Sequence, residues 1–198
     1  RKKDNQMKKM HGISTKAFAA LLAVTLLVGS AIGGTLAWLT SKSDSLVNTF
    51  TIGNVAIKLE ETKGEDSGTE KNFKVTPGVN IEKDPKVTVD STSEDCWLFV
   101  KITEDGNAWN NGLSYTPESG WKKLGGVKEI VYYRDITGAT DKDKALPVLQ
   151  NNQVTVSEEL TTLDENTKLT FTAYAIQKEG IKTAKDAWDK LNTQQGNN

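Results

Sequence analysis

Few side chains of this sequence could act as catalytic nucleophiles, general bases or metal ligands. The only histidine is His11 and the only cysteine is Cys96. A Ser-His-Asp triad, a Cys-His pair and a histidine-based zinc site all need an imidazole. His11 lies in a segment that we expect to be cleaved off, so the remaining chain would contain no histidine. The sequence therefore predicts a protein that is not an enzyme, with no catalytic residues, no metal and no cofactor.

Carboxylates are the other chemistry-bearing group. Asp141 and Asp143 have the spacing that opens an EF-hand loop, but lysines flank them and neither a glycine nor a distal glutamate completes the loop. Adjacent acids such as Glu158 and Glu159 point apart on a strand and do not form a catalytic pair. We expect these segments to be solvated charged surface.

Cys96 stands alone, so no intramolecular disulfide can form. It opens the apolar run 97–100. A free thiol is sometimes reactive, but this position favours a small buried hydrophobic residue.

Aromatic residues are concentrated in residues 107–126, which show no sustained periodicity and should form a long excursion with one short hairpin. Trp109, Tyr115 and Trp121 lie there. On a loop, such residues could stack against sugar rings, which would make this a carbohydrate or cell-wall binding module. The alternative is that they pin a small core beneath the loop.

The N-terminal part has the layout of an export signal: basic residues, an apolar run at 17–32, and small residues after it. Thr35 and Ala37 are the small residues that a signal peptidase requires, so we predict cleavage before Trp38. Residues 1–37 would then be a helical signal peptide, of which 1–6 are an upstream extension, and 38–198 a single domain. Secretion follows from this prediction.

Two alternatives to this cleavage remain. Counted through Leu39, the apolar run has 23 residues, about 34 Å as a helix, which is enough for a permanent membrane anchor. Gly29, Ser30 and Ala31 also fit a cleavage site and would leave Ile32 first.

Charge limits the partners of the mature part. Of 25 Lys and Arg and 26 Asp and Glu, the leader takes six and one, which leaves a balance of −6. Such a surface argues against nucleic acid and against a membrane as partners after cleavage.

Alternating apolar residues predict strands through most of residues 50–176. We expect a first hairpin of 50–52 with 55–59 around Gly53 and Asn54, a charged loop at 62–72, and a turn at Pro77 and Gly78. Further strands are predicted at 86–90, 97–102, 129–134, 145–149, 153–156 and 169–176, and the apolar faces of 97–102 place it centrally. The fold class is all-β, an antiparallel β-sandwich of jelly-roll type.

One short helix is expected near the C-terminus. Thr183 and Asp186 form a capping-box-like start. An apolar stripe of helical spacing follows, and it should pack on the sheets: Ala184, Ala187, Trp188 and Leu191.

Residues 33–40 followed by 48–53 resemble the leader and first strand of the TasA/camelysin (CalY) family, and 75–78, 83–89 and 173–177 extend the similarity more weakly. The resemblance implies processing by a SipW-type signal peptidase, a jelly-roll-like sandwich, and assembly into biofilm matrix fibres of Gram-positive bacteria. Some members of that family are classed as metallopeptidases. We do not expect that activity in this chain, because its sequence has no HExxH motif.

Exported sheets have edges that can pair with another chain. We therefore predict a structural subunit of the extracellular matrix or cell surface that associates with itself or with related matrix subunits. The segment 38–52 is the candidate assembly strand, with Leu46, Asn48, Phe50 and Ile52 as its contact residues.

Overall fold

Strands make up most of the part of the chain that the computed structural model describes, which is residues 40–41, 48–67, 70–164 and 166–195. The strands are β1 (Thr40–Ser41), β2 (Asn48–Ile52), β3 (Ile57–Glu60), β4 (Glu65–Ser67), β5 (Glu70–Lys74), β6 (Ile81–Glu82), β7 (Lys86–Val89), β8 (Cys96–Asp105), β9 (Leu113–Ser114), β10 (Lys122–Lys123), β11 (Ile130–Ile136), β12 (Leu146–Pro147), β13 (Gln153–Val156) and β14 (Lys168–Gln177). Short 3-10 helices occupy Ala108–Asn110, Ala139–Asp141 and Gln150–Asn152, and helix α1 spans Ala184–Gln195.

The largest sheet has five strands in the order β10-β11-β8-β14-β2. Strands β8 and β14 pair antiparallel over ten residues each, and β11 pairs antiparallel with the other side of β8. The first five residues of β8 are all buried, which confirms its predicted central position. Strand β2 pairs parallel with β14, so the sheet is antiparallel except at this edge.

Three smaller sheets complete the strand arrangement of the described residues. Their strand orders are β12-β7-β3, β6-β13-β9 and β1-β5-β4. The all-β class with one C-terminal helix is thus confirmed for the described residues.

A first hydrophobic core lies on one face of the five-stranded sheet, because alternate residues of β8 and β14 point to opposite faces. Leu98 and Phe171 face this core, together with buried residues of the smaller sheets such as Leu59, Val87 and Val154.

The second core lies on the opposite face, where Phe99 and Tyr174 meet helix α1. The predicted stripe of Ala184, Ala187, Trp188 and Leu191 is buried there. The Thr183 hydroxyl accepts from the Asp186 backbone N–H at 3.1 Å and donates to the Asp186 carboxylate at 2.7 Å. Both the capped start and the buried stripe of the predicted helix are confirmed.

The predicted hairpin of residues 50–52 with 55–59 is wrong. Strand β2 pairs with β14, whereas β3 pairs antiparallel with β7 in a different sheet. The apolar residues of the two strands enter different cores: Ile52 packs in the second and Leu59 in the first. Gly53 adopts a positive φ of 84° and approaches Gln177 so closely that a Cβ would lie 2.7 Å from that side chain. The turn therefore carries the chain from one sheet to another.

Two predicted loops also differ. Residues 62–72 contain β4 and the start of β5, which pair antiparallel as a polar hairpin. Residues 107–126 do not form a hairpin of their own, because β9 pairs with β13 and β10 pairs with β11. The turn at Pro77 and Gly78 is confirmed: Gly78 has φ 74°, and the Val79 N–H donates to the Thr76 carbonyl at 3.0 Å.

Candidate functional site

Strand β2 lies at one edge of the five-stranded sheet. Its Cα register on β14 runs from Asn48 opposite Thr172 to Ile52 opposite Ile176. No strand of the described residues pairs with the outer side of β2. Among the described residues, β2 is therefore an edge strand, the kind of strand whose outward backbone groups another chain can pair with.

Phe50 is the most exposed apolar residue of this edge, with 45% of its surface accessible. Its ring stacks on that of Tyr174, with ring centroids 5.2 Å apart and planes 15° apart. Ile52 is half-buried and packs against the second core. Tyr174 also packs edge-on against Trp188, at 5.2 Å between ring centroids. The edge strand is thereby connected through aromatic contacts to helix α1.

The opposite edge of the same sheet differs in charge. Strand β10 has only two residues, Lys122 and Lys123, and both are exposed. Short edge strands that carry lysine resist pairing with other chains. In contrast, β2 has five residues and none is charged. If the sheet extends into another molecule, β2 is the edge that permits it.

Some predicted site residues lie outside the described residues. These are Thr35, Ala37 and Trp38 of the expected cleavage site and Leu46 of the expected assembly strand. Asn48, Phe50 and Ile52 do fall together along β2.

The three aromatic residues of the 107–126 excursion are held by their own chain. The Trp109 indole N–H donates to the carbonyls of Asp105 at 2.9 Å and Lys168 at 3.0 Å. Tyr115 packs edge-on against Trp109, with ring centroids 6.0 Å apart. Trp121 is buried, and its indole N–H donates to the Pro147 carbonyl at 2.8 Å. Trp109 and Tyr115 pack against the first core and Trp121 belongs to it, as expected for pins of a core.

A buried ion pair lies at the margin of the first core, and the sequence did not point to it. The Lys83 ammonium donates to both carboxylate oxygens of Glu61, at 2.9 and 3.1 Å. Only 2% of the Lys83 side chain and 1% of that of Glu61 are exposed. The ammonium also lies 4.4 Å from the ring centroid of Phe73 and 5.5 Å from that of Phe171. Burial lowers the pKa of Lys83, and the neighbouring Glu61 carboxylate opposes that shift.

Asp84 is buried beside this pair and faces different partners. Its carboxylate accepts the backbone N–H groups of Thr62 at 2.9 Å and Lys63 at 2.8 Å. It also accepts the Thr62 hydroxyl at 2.6 Å and the Lys86 ammonium at 3.0 Å. Burial by itself raises the pKa of Asp84, but these hydrogen bonds outweigh burial and lower it to about 2. Asp84 therefore stays ionised and fixes the chain after β3.

One sequence signal could have located Lys83. It follows Ile81 by two residues, and residues two apart on a strand share a face. A lysine in phase with an apolar residue at the end of a strand was the available indication, but the acid that pairs with it lies 22 residues away.

The remaining candidate groups are engaged or inert. The Asp143 carboxylate accepts the Ser91 backbone N–H at 2.8 Å. Burial raises the pKa of the Cys96 thiol to about 12, so the thiol stays protonated. Within the described ranges, no group of three or more His, Cys, Asp or Glu side chains is arranged to hold a metal ion.

The helices of the described residues include none that is both long and apolar enough to cross a membrane. Comparison of the chain with protein-family models, with curated proteins and with solved structures finds no match.

Proposed function

We propose that this chain is a secreted, non-enzymatic structural subunit that assembles with copies of itself, or with related subunits, through the β2 edge. In this proposal, the fold is a β-sandwich of jelly-roll type, a SipW-type signal peptidase releases the chain before Trp38, and the product is a fibre of the extracellular matrix or cell surface.

The observation that carries the proposal is the difference between the two edges of the five-stranded sheet. An uncharged five-residue strand forms one edge, and two exposed lysines form the other. Soluble proteins usually protect an edge with charge, proline or a short strand. Since β2 has none of these devices, its exposed side suits backbone pairing with a second chain, for which main-chain hydrogen bonds supply the affinity.

The pairing of β2 with β14 on one side leaves its outer side for a neighbouring subunit. The strand is joined to β3 by a turn at Gly53 and is held on its inner side by β14. The part of a neighbour's segment 38–52 that precedes β2 could pair along the outer side of β2 as a donor strand. Such a head-to-tail contact does not close on itself and therefore makes a filament.

The carbohydrate-binding alternative has less support. Trp121 is buried, and the indole N–H groups of Trp109 and Trp121 donate to the chain's own carbonyls. A sugar platform needs exposed aromatic faces.

Two changes test the proposal. In protein that begins at Trp38, we expect filaments by electron microscopy; deletion of residues 38–46 should leave a folded monomer with unchanged circular dichroism. Replacing both exposed residues Thr49 and Thr51 by lysine should also abolish filaments, because it gives β2 the charge that β10 already has.

A matched control carries the same two substitutions at Thr161 and Thr162, which are exposed and distant in sequence from β2. We expect this control to polymerise like the unchanged protein. Filaments formed equally by the Thr49→Lys/Thr51→Lys variant would overturn assembly through β2. Binding of the monomer to purified glycan without filaments would favour the alternative.

A further inference from the structure

Lys83 and Asn152 lie directly opposite each other across two paired strands. In the β6–β13 pair, Ile81 is opposite Val154 and Glu82 is opposite Gln153. One step further, the Lys83 backbone N–H donates to the Asn152 carbonyl at 2.8 Å, so the same register continues. Side chains alternate between faces along a strand, which places Lys83 on the face of Ile81, and Asn152, the residue before β13, lies opposite it. Directly opposite residues have Cβ atoms about 5 Å apart.

The Asn152 carboxamide lacks a hydrogen bond that its buried oxygen would be expected to form. Its oxygen, Oδ1, is buried and has no hydrogen-bond partner among the described residues. The residue also adopts a left-handed backbone conformation, with φ 51°. A buried polar atom without a partner is costly and calls for a specific explanation.

The surroundings of the Lys83 amine favour its reaction as a nucleophile. The ammonium contacts a buried carboxylate, that of Glu61, which can accept its proton. The rings of Phe73 and Phe171 enclose it, and a cavity of about 20 Å³ beside it is lined otherwise mainly by apolar side chains, including Val75 and Leu169. In such surroundings, burial disfavours the charged ammonium and lowers the pKa of Lys83, and a desolvated neutral lysine is nucleophilic.

We propose that Lys83 and Asn152 form an intramolecular isopeptide bond autocatalytically, with Glu61 as the residue that transfers protons. Glu61 takes one proton from the Lys83 ammonium, and the neutral Nζ attacks Cγ of Asn152. The new N–C bond forms as the C–N bond of the carboxamide breaks. A second proton passes from Nζ through Glu61 to the departing nitrogen, which leaves as ammonia, and Glu61 remains as the neutral acid. The reaction needs no oxidant and no cofactor.

The proposed bond would join the end of β6 to the start of β13. It would close a covalent loop over residues 83–152, which includes β7 to β12. Such a link limits the freedom of the unfolded chain in the way that a disulfide does. It does not depend on assembly and applies to the monomer.

Mass spectrometry of the denatured, unmodified chain tests the proposal, once the N-terminus has been assigned. We expect a mass lower than that of the sequence by about 17 Da, the loss of one ammonia. Tryptic digestion should give a branched peptide that contains both Lys83 and Asn152, because trypsin does not cleave after an acylated lysine.

Three variants identify the roles. Asn152→Ala and Glu61→Gln should each abolish the branched peptide, whereas Glu82→Gln, an exposed carboxylate on the neighbouring residue, should retain it. If Glu61→Gln does not fold, the peptide map of the unmodified chain still decides. An unmodified chain with the full sequence mass overturns the proposal. A loss of about 18 Da mapped to Lys83 and Glu61 would mean an amide between those two residues and would also overturn it.

Discussion

The Phe50 ring stacks on the Tyr174 ring, and this contact holds the exposed edge strand β2 against the face of the sheet that helix α1 covers. The stack and the packing of Ile52 on the second core are apolar contacts of a strand that, among the described residues, pairs with one neighbour only, β14.

Replacing Phe50 by alanine should loosen this edge. We expect the free energy of unfolding to fall by about 1 kcal/mol, the usual worth of a partly exposed aromatic pair. Urea denaturation measures the change, and hydrogen exchange should show faster exchange confined to β2 and its partner residues in β14. Val79→Ala is the control, since Val79 is 57% exposed and lies outside β2 and β14. Equal losses for the two variants would show that the stack does not stabilise β2.

Asp84 should make stability depend on pH in the acidic range. Its folded pKa of about 2 lies below the ordinary value of 3.8. The ionised form is therefore the one that stabilises the fold. The contribution of the ionised Asp84 carboxylate, about 2 kcal/mol, should be present above pH ~4 and be lost as the pH falls through about 2.

Urea midpoints measured between pH 2 and pH 7 test this dependence. Asp84→Asn should lower stability at pH 7 and reduce the fall of the urea midpoint with pH below pH ~4. Asp105→Asn, at an exposed position, should leave the curve of the unchanged protein intact. A curve for Asp84→Asn that still falls as steeply would assign the dependence to other carboxylates.

The cap of helix α1 should contribute measurably to stability. Thr183→Ala removes the hydroxyl that accepts the Asp186 N–H, and we expect a loss of about 1 kcal/mol. Thr193→Ala is the matched control, because the Thr193 hydroxyl donates to the Asp189 carbonyl at 2.8 Å inside the helix and caps no free N–H. Thermal unfolding of both variants gives the comparison, and a larger loss for Thr193→Ala would contradict the capping role.

Cys96 should be unreactive in the folded protein. Burial excludes reagent and raises the pKa of the thiol to about 12, so almost no thiolate is present at pH 8. A colorimetric thiol reagent should label no cysteine in the native state and one after denaturation. Rapid labelling of the native protein would mean that β8 opens at its first residue.

The local sequence pattern was sufficient to predict an element when the residues of that element alone determine its type. Helix α1 was predictable because Thr183 starts it and a stripe ending at Leu191 repeats at helical spacing, whichever surface it packs on. The central place of β8 followed from apolar residues on both its faces. The role of the aromatic residues of 107–126 in the core was predicted only as one of two alternatives. The sequence does not show whether an indole N–H will find a carbonyl acceptor.

The sequence did not determine which strands pair with each other. Alternation in residues 50–59 is the same whether β2 pairs with β3 or with a strand more than 100 residues away, since a strand's apolar residues show that a face is buried but not against what. The ion pair of Lys83 and Glu61 was missed for a related reason: a buried charge is tolerated only when a partner is brought to it, and here the tertiary structure brings it.

By itself, the sequence determined the all-β class, the capped helix, the buried cysteine and the lack of histidine beyond His11, because each depends on residue type and short-range spacing. Only the tertiary structure decided that β2 runs parallel to β14 at an uncharged edge, that Lys83 and Glu61 pair at the margin of one core, and that Asn152 lies opposite Lys83. These relationships join distant parts of the chain, and the free energy that selects them comes from burial and hydrogen bonding in the assembled sheets, which no local pattern records.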